Sequence, residues 1–454
     1  MTKLVAALIF TLVTWGASPA LAAEHAGREE ISRSGYEGPA TCENCHPGTV
    51  KKFLETVHWK HASRVDNVEG LDPKQEYGML NRVYSMCNGN DVVNSLQVVT
   101  LPSGKTKFTG CDSCHMGDSL NKPGSSGPAA EATVDCLLCH SSAYDFSKRK
   151  PFLNSQGKVV MGQDRSVAAA LAIGKPQVKN CMICHEAAGG GTLNKRGFVF
   201  TPEFDINAAK GMSCVTCHTA KDHRIPGGFD PNMWASDGVR ISCADGSCHG
   251  DKPHKNMEYN RHTARIACQT CHIPRSGGVY MKDFSRWEPE TSGFYEYGIL
   301  RKEPDGLIPV YAWYNLTVAN RPEFLGPKGS KDDKTSKIFP FKYFQGRAYF
   351  DRNTGKPLLM DMGPPMKNGD ALAGVASAAN TLGIASYDPV PRWQVIYFGM
   401  NHMVKKKGLS CESCHALNGV LNFKALGYSD SEIAKLTNPD LFFQQLLDQK
   451  REEW

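Results

Sequence analysis

The stretch CLLCH, at residues 136–140, decides the fold of this chain, because the pattern C-x-x-C-H that it follows occurs seven times. An eighth copy is lengthened, with four residues between its two cysteines. The eight motifs are Cys42/Cys45/His46, Cys111/Cys114/His115, Cys136/Cys139/His140, Cys181/Cys184/His185, Cys214/Cys217/His218, Cys243/Cys248/His249, Cys268/Cys271/His272 and Cys411/Cys414/His415. They use 16 of the 17 cysteines, so this regular spacing argues against the disulfide framework that many cysteines usually indicate in an exported chain.

Two thiols at this spacing, with a histidine directly after the second, are typical of covalent haem attachment. The thiols form thioethers with the haem vinyl groups, and the histidine ligates the iron as its proximal ligand. A single copy also fits a zinc or thiol-redox site, but neither of these needs the adjacent histidine. For the lengthened motif the alternative is a disulfide between Cys243 and Cys248. The sequence therefore predicts eight covalently bound haem c groups, each with its iron.

The predicted haem content determines the expected fold. Eight haems leave roughly 54 residues for each haem once the exported chain loses its leader. Haems at that density replace much of the usual hydrophobic core and must lie close together. We therefore predict a mainly α multihaem cytochrome c fold with extensive irregular structure and little β, organised around eight closely packed haems.

The first residues resemble a secretory signal peptide. Lys3 precedes an apolar run over residues 4–15, and Ala20-Leu21-Ala22 is typical of a cleavage site. The run is short for a membrane span, although an uncleaved anchor is the alternative. We predict a signal peptide at residues 1–22, no transmembrane segment in the mature chain, and a periplasmic location, with an extracellular one left open.

The motifs divide the rest of the chain unevenly. Residues 23–275 contain seven motifs and are predicted to be a haem-rich core. Residues 276–400 contain none, are rich in aromatic side chains, Pro and Gly, and are predicted to wrap the core as extended or looped structure; a separate substrate-binding domain is the alternative. Residues 401–454 contain the last motif and a closing helix.

Three helices are predicted from the pattern of residues. Residues 50–64 form a helical-looking run that contains two histidines, and residues 370–383 are rich in alanine. The closing helix is predicted over residues 429–450, because Ser429 and Glu432 form the sequence of a capping box before a run with apolar residues at helical spacing.

The supply of distal histidines is too small for eight haems with two histidines each. Of the 15 histidines, eight follow a motif, and seven remain: His25, His58, His61, His223, His254, His262 and His402. The last six are predicted iron ligands, whereas the role of His25 stays open because it lies near the predicted mature N-terminus. At least one haem therefore lacks a distal histidine. Either Met, Lys or the terminal amine fills that position, or the iron is open to substrate.

The net charge of +6 is too diffuse to indicate nucleic acid. It is compatible with an acidic redox partner or a small oxyanion substrate. The expected partners are a periplasmic or membrane-anchored electron donor and a small oxyanion; formation of a homo-oligomer stays open.

Four stretches resemble the octahaem tetrathionate reductase family of c-type cytochromes, and the likeness runs over most of the mature chain. They are VDCLLCH at residues 134–140, HTARIACQTCHIP at residues 262–274, PFK at residues 340–342 and NFKALGY at residues 422–428. Three departures stand out: Lys195-Arg196 where related chains have a histidine, the lengthened motif at Cys243, and the segment after Cys87.

The resemblance implies a catalytic haem at the second motif, with His115 as proximal ligand and a lysine in place of the distal histidine. Lys148 is the residue chosen for this ligand and Lys150 the second choice, with Asp145 one turn earlier as proton carrier. The resemblance also implies an active-site cysteine, and Cys87 is the candidate. The alternatives are a solvated charge run at residues 148–150 and an inert buried thiol.

Three functions follow as hypotheses. The first is a reductase of tetrathionate, nitrite or hydroxylamine, in which haems with two histidines feed the lysine-ligated haem, and Lys148 and Arg149 neutralise an anion. The second is an electron-transfer conduit to a redox partner or an extracellular acceptor. An oxidase of the hydroxylamine type or a nitrite or sulfite reductase of another multihaem family is a third, although the C-x-x-C-K motif of the usual nitrite reductase is absent.

Overall fold

The computed structural model describes residues 25–78, 92–93, 97–109, 114–118, 124–187, 198–227, 241–244 and 248–438. The predicted signal peptide lies outside the described residues, as do Cys87, Cys111 and Lys195-Arg196. In the described part of the chain, no helix is long and apolar enough to cross a membrane.

Most helices are short. They are α1 (Arg28–Ser34), α2 (Pro39–Glu43), α3 (Thr49–Leu54), α4 (Val57–Lys60), α5 (Pro128–Glu131), α6 (Cys136–His140), α7 (Val167–Leu171), α8 (Val178–Met182), α9 (Ile206–Ala209), α10 (Cys214–Cys217), α11 (Met257–His262), α12 (Cys268–His272), α13 (Gly363–Asn368), α14 (Ala371–Thr381), α15 (Cys411–His415) and α16 (Asp430–Leu436). A 3₁₀ turn covers Phe146–Lys148, and a π-type turn covers Ile183–Ala187 directly after α8. The predicted multihaem arrangement of short helices and irregular stretches is therefore present before residue 276.

The strands fall into one large sheet and four small pairs. The strands are β1 (Ala62–Arg64), β2 (Glu76–Gly78), β3 (Val92–Val93), β4 (Val98–Thr100), β5 (Thr106–Phe108), β6 (Pro151–Leu153), β7 (Val159–Met161), β8 (Val279–Pro289), β9 (Tyr295–Glu303), β10 (Val310–Tyr314), β11 (Thr317–Arg321), β12 (Phe324–Lys328), β13 (Lys337–Asp351), β14 (Met360–Asp361) and β15 (Pro389–Gly399). The small pairs are β1 with β2, β3 with β14, β4 with β5, and β6 with β7.

The large sheet has seven strands in the order β11-β12-β15-β13-β8-β9, and β10 also pairs with β13. Strand β13 is the centre, because it runs antiparallel to β15 and β10 and parallel to β8. The prediction of little β is therefore wrong, and residues 276–400 are not mainly looped. A stretch without attached haem has to bury its own apolar side chains, and aromatic residues in alternation favour strands for that purpose.

Two apolar clusters hold the sheet together. The first packs Phe284, Trp287 and Phe294 against α13 and α14, and the second packs Phe341, Phe344 and other aromatic or aliphatic side chains between strands. Phe284, Phe341 and Phe344 have no exposed surface. Burial of side chains of this size contributes on the order of 2 kcal/mol each, so the sheet has a core that does not depend on haem.

The predicted helices are confirmed in part. The alanine-rich segment forms α14, and the Asp370 side chain accepts from the amide of Ala373 at its start. The closing helix begins at the predicted capping box of Ser429 and Glu432, but it ends at Leu436, and residues 439–454 lie outside the described residues. The third prediction, one helix over residues 50–64, is wrong.

Residues 50–64 instead form α3, α4 and β1, because the chain breaks at Thr56 and again at His61. Thr56 is extended, and its hydroxyl donates to the carbonyl of Phe53. His61 ends α4 in the left-handed conformation with a φ of 49°. In one continuous helix, His58 and His61 would lie on the same face, one turn apart. The break lets the two rings face different parts of the molecule.

Candidate haem-iron centres

In six motifs the first cysteine lies in a short helix, which sets the direction of its side chain. Six of the short helices start at, or include, the first cysteine of a motif: α2, α6, α8, α10, α12 and α15. Residues three and four positions apart share a helix face, so two cysteines and the following histidine lie on the same side where the helix spans the motif. The Asp135 carboxylate accepts from the amide of Leu138 at the start of α6, and the Ser410 hydroxyl accepts from the amide of Ser413 at α15.

Seven of the eight proximal histidines have a second histidine ring opposite them. The pairs, with the distances between ring centroids, are His46 with His25 at 5.9 Å, His115 with His61 at 5.4 Å, His140 with His223 at 6.0 Å, His185 with His58 at 6.5 Å, His218 with His402 at 6.3 Å, His272 with His254 at 6.0 Å and His415 with His262 at 6.2 Å. Two imidazoles that share one metal ion hold their centroids roughly 6 Å apart, since each metal–nitrogen bond is about 2 Å long. The spacing of six pairs therefore fits one iron between the rings, whereas the 5.4 Å between His115 and His61 is shorter than two such bonds require.

This pairing answers a question that the sequence left open. His25 lies opposite His46, although its position near the predicted N-terminus gave no reason to assign it. Each of the seven histidines outside the motifs lies opposite the histidine of a motif, and their roles as iron ligands stay predictions. The sequence counted the candidates but held no signal for which ring faces which, because partners such as His218 and His402 are far apart along the chain.

Hydrogen bonds to backbone carbonyls fix the orientation of several proximal rings. The Nδ1 atom of His140 lies 3.0 Å from the carbonyl oxygen of Gly174, and that of His218 lies 2.7 Å from that of Pro226. His272 and His415 make the same contact, with Lys405 at 2.8 Å and Leu436 at 2.8 Å. A ligating histidine normally donates its second ring N–H to such an acceptor, which leaves Nε2 directed at the metal. These contacts leave Nε2 of each ring available to an iron.

Two histidines are held neutral by burial, as iron ligation requires. Burial lowers the pKa of His115 to about 4, and it does the same for His402. The two ring nitrogens of His115 are buried and make no hydrogen bond of good geometry in the described part of the chain. Buried polar atoms of this kind are rare in folded proteins, so an absent partner such as iron is the natural explanation.

One connected cavity of about 2240 Å³ runs through the haem-motif region. Its walls include cysteines of six motifs, namely Cys114, Cys136, Cys139, Cys181, Cys184, Cys214, Cys217, Cys243, Cys248 and Cys268. A site for one small molecule occupies roughly 300–1,000 Å³, so this space is large enough for several cofactors side by side. The volume and the thiol lining fit a row of covalently held haems.

Cys45 does not line the large cavity. It is exposed and lies in the turn after α2, whereas the second cysteines of the second to sixth motifs all line the large cavity. The cause is local: α2 ends at Glu43, whose carboxylate accepts from the amides of Gly48 and Val50 and so holds the next turn outside the helix. Haem attachment by Cys45 stays a prediction.

Contacts between thiols bring different motifs together. The Cys42 thiol hydrogen bonds with that of Cys136, which joins the first motif to the third. Cys181 makes the same contact with Cys214, and Cys184 with Cys114, so the fourth motif touches both the fifth and the second. Haems attached at these thiols would lie close together, as electron transfer between them requires.

The predicted catalytic residues occupy a turn that is anchored to Asp164. The Nζ atom of Lys148 lies 2.7 Å from Oδ1 of Asp164, and the Lys148 side chain is 44% exposed. Asp145 is exposed and accepts from the amide and the hydroxyl of Ser147, while its own amide donates to Asp164. The ring opposite His115 is that of His61. Ligation of iron by Lys148 stays a prediction, as does the role of Cys87, which lies outside the described residues.

The charge run at residues 148–150 is not uniform. Lys148 and Lys150 are exposed, but Arg149 is buried. Its guanidinium lies 3.1 Å from Oδ2 of Asp135 and donates to the carbonyl of His115 at 2.7 Å. The sequence suggested that Arg149 neutralises an anionic substrate, whereas here it connects the second motif to the residue that caps the third.

His249 differs from the other proximal histidines. All 15 histidines lie within the described residues, and none of their rings stands opposite that of His249. It is exposed and lines the large cavity together with Cys243 and Cys248. Among the described residues, His249 is thus the proximal histidine without a second histidine ring opposite it.

Comparisons with known proteins agree with this chemistry. Residues 135–219 match the family model described as cytochrome c554 and c-prime, and residues 298–418 match the model described as bacterial cytochrome c. A crystal structure of octahaem cytochrome c from Shewanella oneidensis has the same fold, with a TM-score of 0.64 over 89% of this chain and 94% of that chain, at 24% identity. An uncharacterized protein from Archaeoglobus fulgidus is 28% identical over 245 residues, which are 46% of this chain and 82% of that protein. Taken with the paired thiols and the opposed imidazoles, these matches identify the chain as a multihaem c-type cytochrome that binds haem c covalently.

Proposed function

We propose that this protein is an exported octahaem cytochrome that passes electrons along haems with two histidine ligands and delivers them to a small sulfur or nitrogen compound. The observation that carries the proposal is the set of seven opposed histidine pairs beside one unopposed proximal histidine. The paired histidines would ligate the haems that transfer electrons. The unopposed proximal histidine would leave one iron position to which a substrate can bind.

The relay function rests on the histidine pairs. Two imidazoles saturate an iron, exclude other ligands and favour simple electron transfer. The carbonyl contacts of His140, His218, His272 and His415 hold those rings in one orientation, so little reorganisation accompanies a change of charge. The contacts between thiols support transfer from one motif to the next.

Reduction of a small anion is supported by the missing distal histidine and by the charge of the cavity. Lysines from several segments line it, including Lys175, Lys210, Lys252 and Lys405, and they attract anions. Tetrathionate is one candidate: it takes two electrons, its central sulfur–sulfur bond breaks, and two thiosulfate ions leave. Nitrite and hydroxylamine are the others. The electrons come from a periplasmic or membrane-anchored donor.

Two residues compete for the sixth position at the haem of His115. The resemblance to octahaem tetrathionate reductases favours Lys148, with Asp145 and Cys87 nearby. The geometry favours His61, whose ring lies 5.4 Å from that of His115, while Lys148 binds Asp164. A lysine at this iron makes the haem catalytic, because protonation can displace the amine. A histidine makes it part of the relay.

The second candidate function is a conduit without catalysis, and the placement of His61 favours it. If His61 ligates the haem of His115 and another side chain fills the position opposite His249, all eight irons are saturated. The protein then passes electrons to a redox partner or an extracellular acceptor. Either proposal expects a periplasmic location and removal of residues 1–22, and both leave the state of association open. The mass and size of the secreted protein measure these properties.

The deciding experiment is turnover by the purified holoprotein. Chemically reduced protein is mixed with tetrathionate, nitrite or hydroxylamine, and haem reoxidation and product are measured. The reductase proposal expects reoxidation with at least one substrate at a rate well above that of a single-haem cytochrome c control. If none of these substrates reoxidises the haems, the reductase proposal fails and the conduit proposal remains.

Substitutions at the haem of His115 separate its two candidate ligands. His61→Ala is expected to convert this haem from low spin to high spin in the electron paramagnetic resonance spectrum, whereas Lys148→Met leaves the spectrum unchanged. The opposite result, a new signal in Lys148→Met alone, assigns the lysine to the iron and supports the centre that the resemblance implies.

A further inference from the structure

Residues 402–405, the shared segment, take part in two candidate iron centres at once. The segment begins with His402, whose ring faces that of His218 in the fifth motif. At its other end, the carbonyl oxygen of Lys405 lies 2.8 Å from Nδ1 of His272, the proximal histidine of the seventh motif. The Lys405 amide also donates to the carbonyl oxygen of His272 at 2.7 Å. A movement of the shared segment would therefore change the surroundings of two haems together.

The Asp205 carboxylate holds the shared segment in place. Asp205 is buried, with 1% of its surface exposed, and its Oδ2 atom accepts from the amides of Met403 at 2.9 Å and Val404 at 3.0 Å. Its Oδ1 atom accepts from the amide of Asn207 at 2.8 Å and so caps helix α9. One carboxylate thus divides its two oxygens between a helix cap and the shared segment.

The backbone of the shared segment depends on this support. Met403 has a φ of 70°, in the left-handed region that residues other than glycine adopt only where the surrounding structure holds them there. Next to the Asp205 contacts, the amide of Ile206 donates to the carbonyl of Val404 at 2.8 Å. The segment that carries His402 is therefore fixed by hydrogen bonds from the start of α9.

We infer that Asp205 is a positioning residue for two haem sites. Through the shared segment it holds His402, the distal ligand of the fifth haem, and the carbonyl that accepts from His272, the proximal ligand of the seventh haem. The inference rests on the electron relay of the proposed function, and it adds a residue that lies in none of the eight haem motifs.

The shared segment gives the two haems a common response. A carbonyl that accepts from Nδ1 increases the basicity of a ligating histidine, which stabilises the oxidised iron. A distal imidazole that is held against its iron stabilises the oxidised state in the same way. Displacement of the segment is therefore expected to raise the reduction potentials of the fifth and seventh haems together.

Two substitutions separate the positioning role of Asp205 from its role as a helix cap. Serine and asparagine both cap helices well, and both remove the same charge. Asp205→Asn retains an oxygen that can accept from the amides of Met403 and Val404, whereas the shorter hydroxyl of Asp205→Ser caps α9 without reaching the shared segment. We expect Asp205→Asn to keep the low-spin signals of the wild-type holoprotein in electron paramagnetic resonance. Asp205→Ser is expected to shift two of these signals and to raise two reduction potentials.

Two ligand variants and one control show where the shifts arise. His402→Ala and His254→Ala remove the rings opposite the proximal histidines of the fifth and the seventh motif, so the low-spin signals that disappear identify these haems. Asp205→Ser should shift the same two signals. Asp370→Ser is the matched control, because Asp370 caps α14 by accepting from the amide of Ala373 at 2.9 Å, and α14 contains no haem motif. It should leave every haem signal in place.

The outcomes separate the inference from the proposed function. Wild-type signals in Asp205→Ser, a shift of the fifth haem alone, or equal shifts in Asp370→Ser overturn the inference and leave the relay in place. Unchanged low-spin signals in His402→Ala contradict the ligation on which both depend. Absence of turnover with any substrate contradicts the reductase and leaves the inference standing.

Hydrogen exchange in the wild-type holoprotein keeps the inference testable if Asp205→Ser does not fold. The amides of Met403, Val404 and Lys405 donate to Asp205 and to the seventh motif, so we expect them to exchange slowly and at one common rate. Fast exchange of Met403 and Val404, or a rate for Lys405 that differs from theirs, would show that the segment does not move as a unit and would overturn the inference.

Discussion

The chain before residue 276 and the stretch from residue 276 to 400 are stabilised in different ways. The first has helices of four to seven residues and is lined with thiols and imidazoles. The second has a seven-stranded sheet whose central strand, β13, is 15 residues long and carries fully buried Phe341 and Phe344. Short helices of this length are unstable alone, so the first region depends on its attached haems. The second region depends on apolar packing.

Loss of one haem is expected to have the largest effect on stability and to destabilise only the chain before residue 276. The variant Cys181→Ala/Cys184→Ala removes the attachment of the fourth haem, and these thiols contact Cys214 and Cys114 of two other motifs. We expect a mature protein lighter by one haem, with rapid proteolysis between residues 110 and 220. Intact mass and limited proteolysis measure both. Equal protease resistance in the variant and the wild type would show that haem is not the core of this region.

Truncation of Phe344 is expected to have the next largest effect on stability, because it destabilises the sheet. Its side chain has no exposed surface, and its removal leaves a cavity that costs about 3–5 kcal/mol of unfolding free energy. Phe344→Ala should lower the urea midpoint while the folded protein retains its haem spectrum. Gln345→Ala, at the next position of β13, is the control and should change little. A changed spin state in Phe344→Ala would mean that the two regions are not separable.

Acid is expected to destabilise the turn that contains Lys148, because it protonates the Asp164 carboxylate that binds this lysine. Burial raises the pKa of this carboxyl, but hydrogen bonds from Lys148, the Asp145 amide and Ser166 outweigh it and lower the pKa to about 2. A lowered pKa stabilises the fold above the ordinary value near 4, and the contribution disappears as the pH falls towards 2. We expect a loss of about 2 kcal/mol over that interval. The difference between wild type and Asp164→Asn isolates it from acid effects on the histidines. Identical pH profiles would contradict the ion pair and favour iron ligation by Lys148.

The helix cap at Ser429 is expected to have the smallest effect. Its hydroxyl accepts from the amide of Glu432, while the Glu432 carboxylate accepts from the amide of Ser429. Ser429→Ala should cost about 1 kcal/mol, seen as faster hydrogen exchange of the amides of α16. Ser431→Ala is the neighbouring control. An unchanged exchange rate in Ser429→Ala would show that the packing of α16, and not its cap, holds this end of the chain.

The sequence predicted the attachment chemistry well, because C-x-x-C-H is a local signal that survives in any fold. It also predicted α14 and the start of α16 from Asp370 and from the Ser429–Glu432 pair. It missed the sheet, because the aromatic residues of β13 were interpreted as packing on haem, although they pack on each other. Parallel and antiparallel pairing across β8, β13 and β15 depends on distant partners, which no local pattern encodes.

The candidate site shows the same division between local and distant information. The shortage of one distal histidine follows from a count, and in the described residues His249 is the proximal histidine with no second histidine ring opposite it. The count could not identify it, because facing rings such as His262 and His415 come from distant segments. The exposure of Cys45 likewise cannot be predicted from its motif, because the motif has the same spacing as six others. It depends on where the fold places the turn after α2.

The pairing of His218 with His402 has a consequence for biogenesis. If the chain is exported from its N-terminus, the fifth motif emerges long before residue 402. The second ring for His218 would then arrive only once the sheet of residues 276–400 has been made. Under the proposed ligation, completion of the fifth haem site would depend on the C-terminal segment.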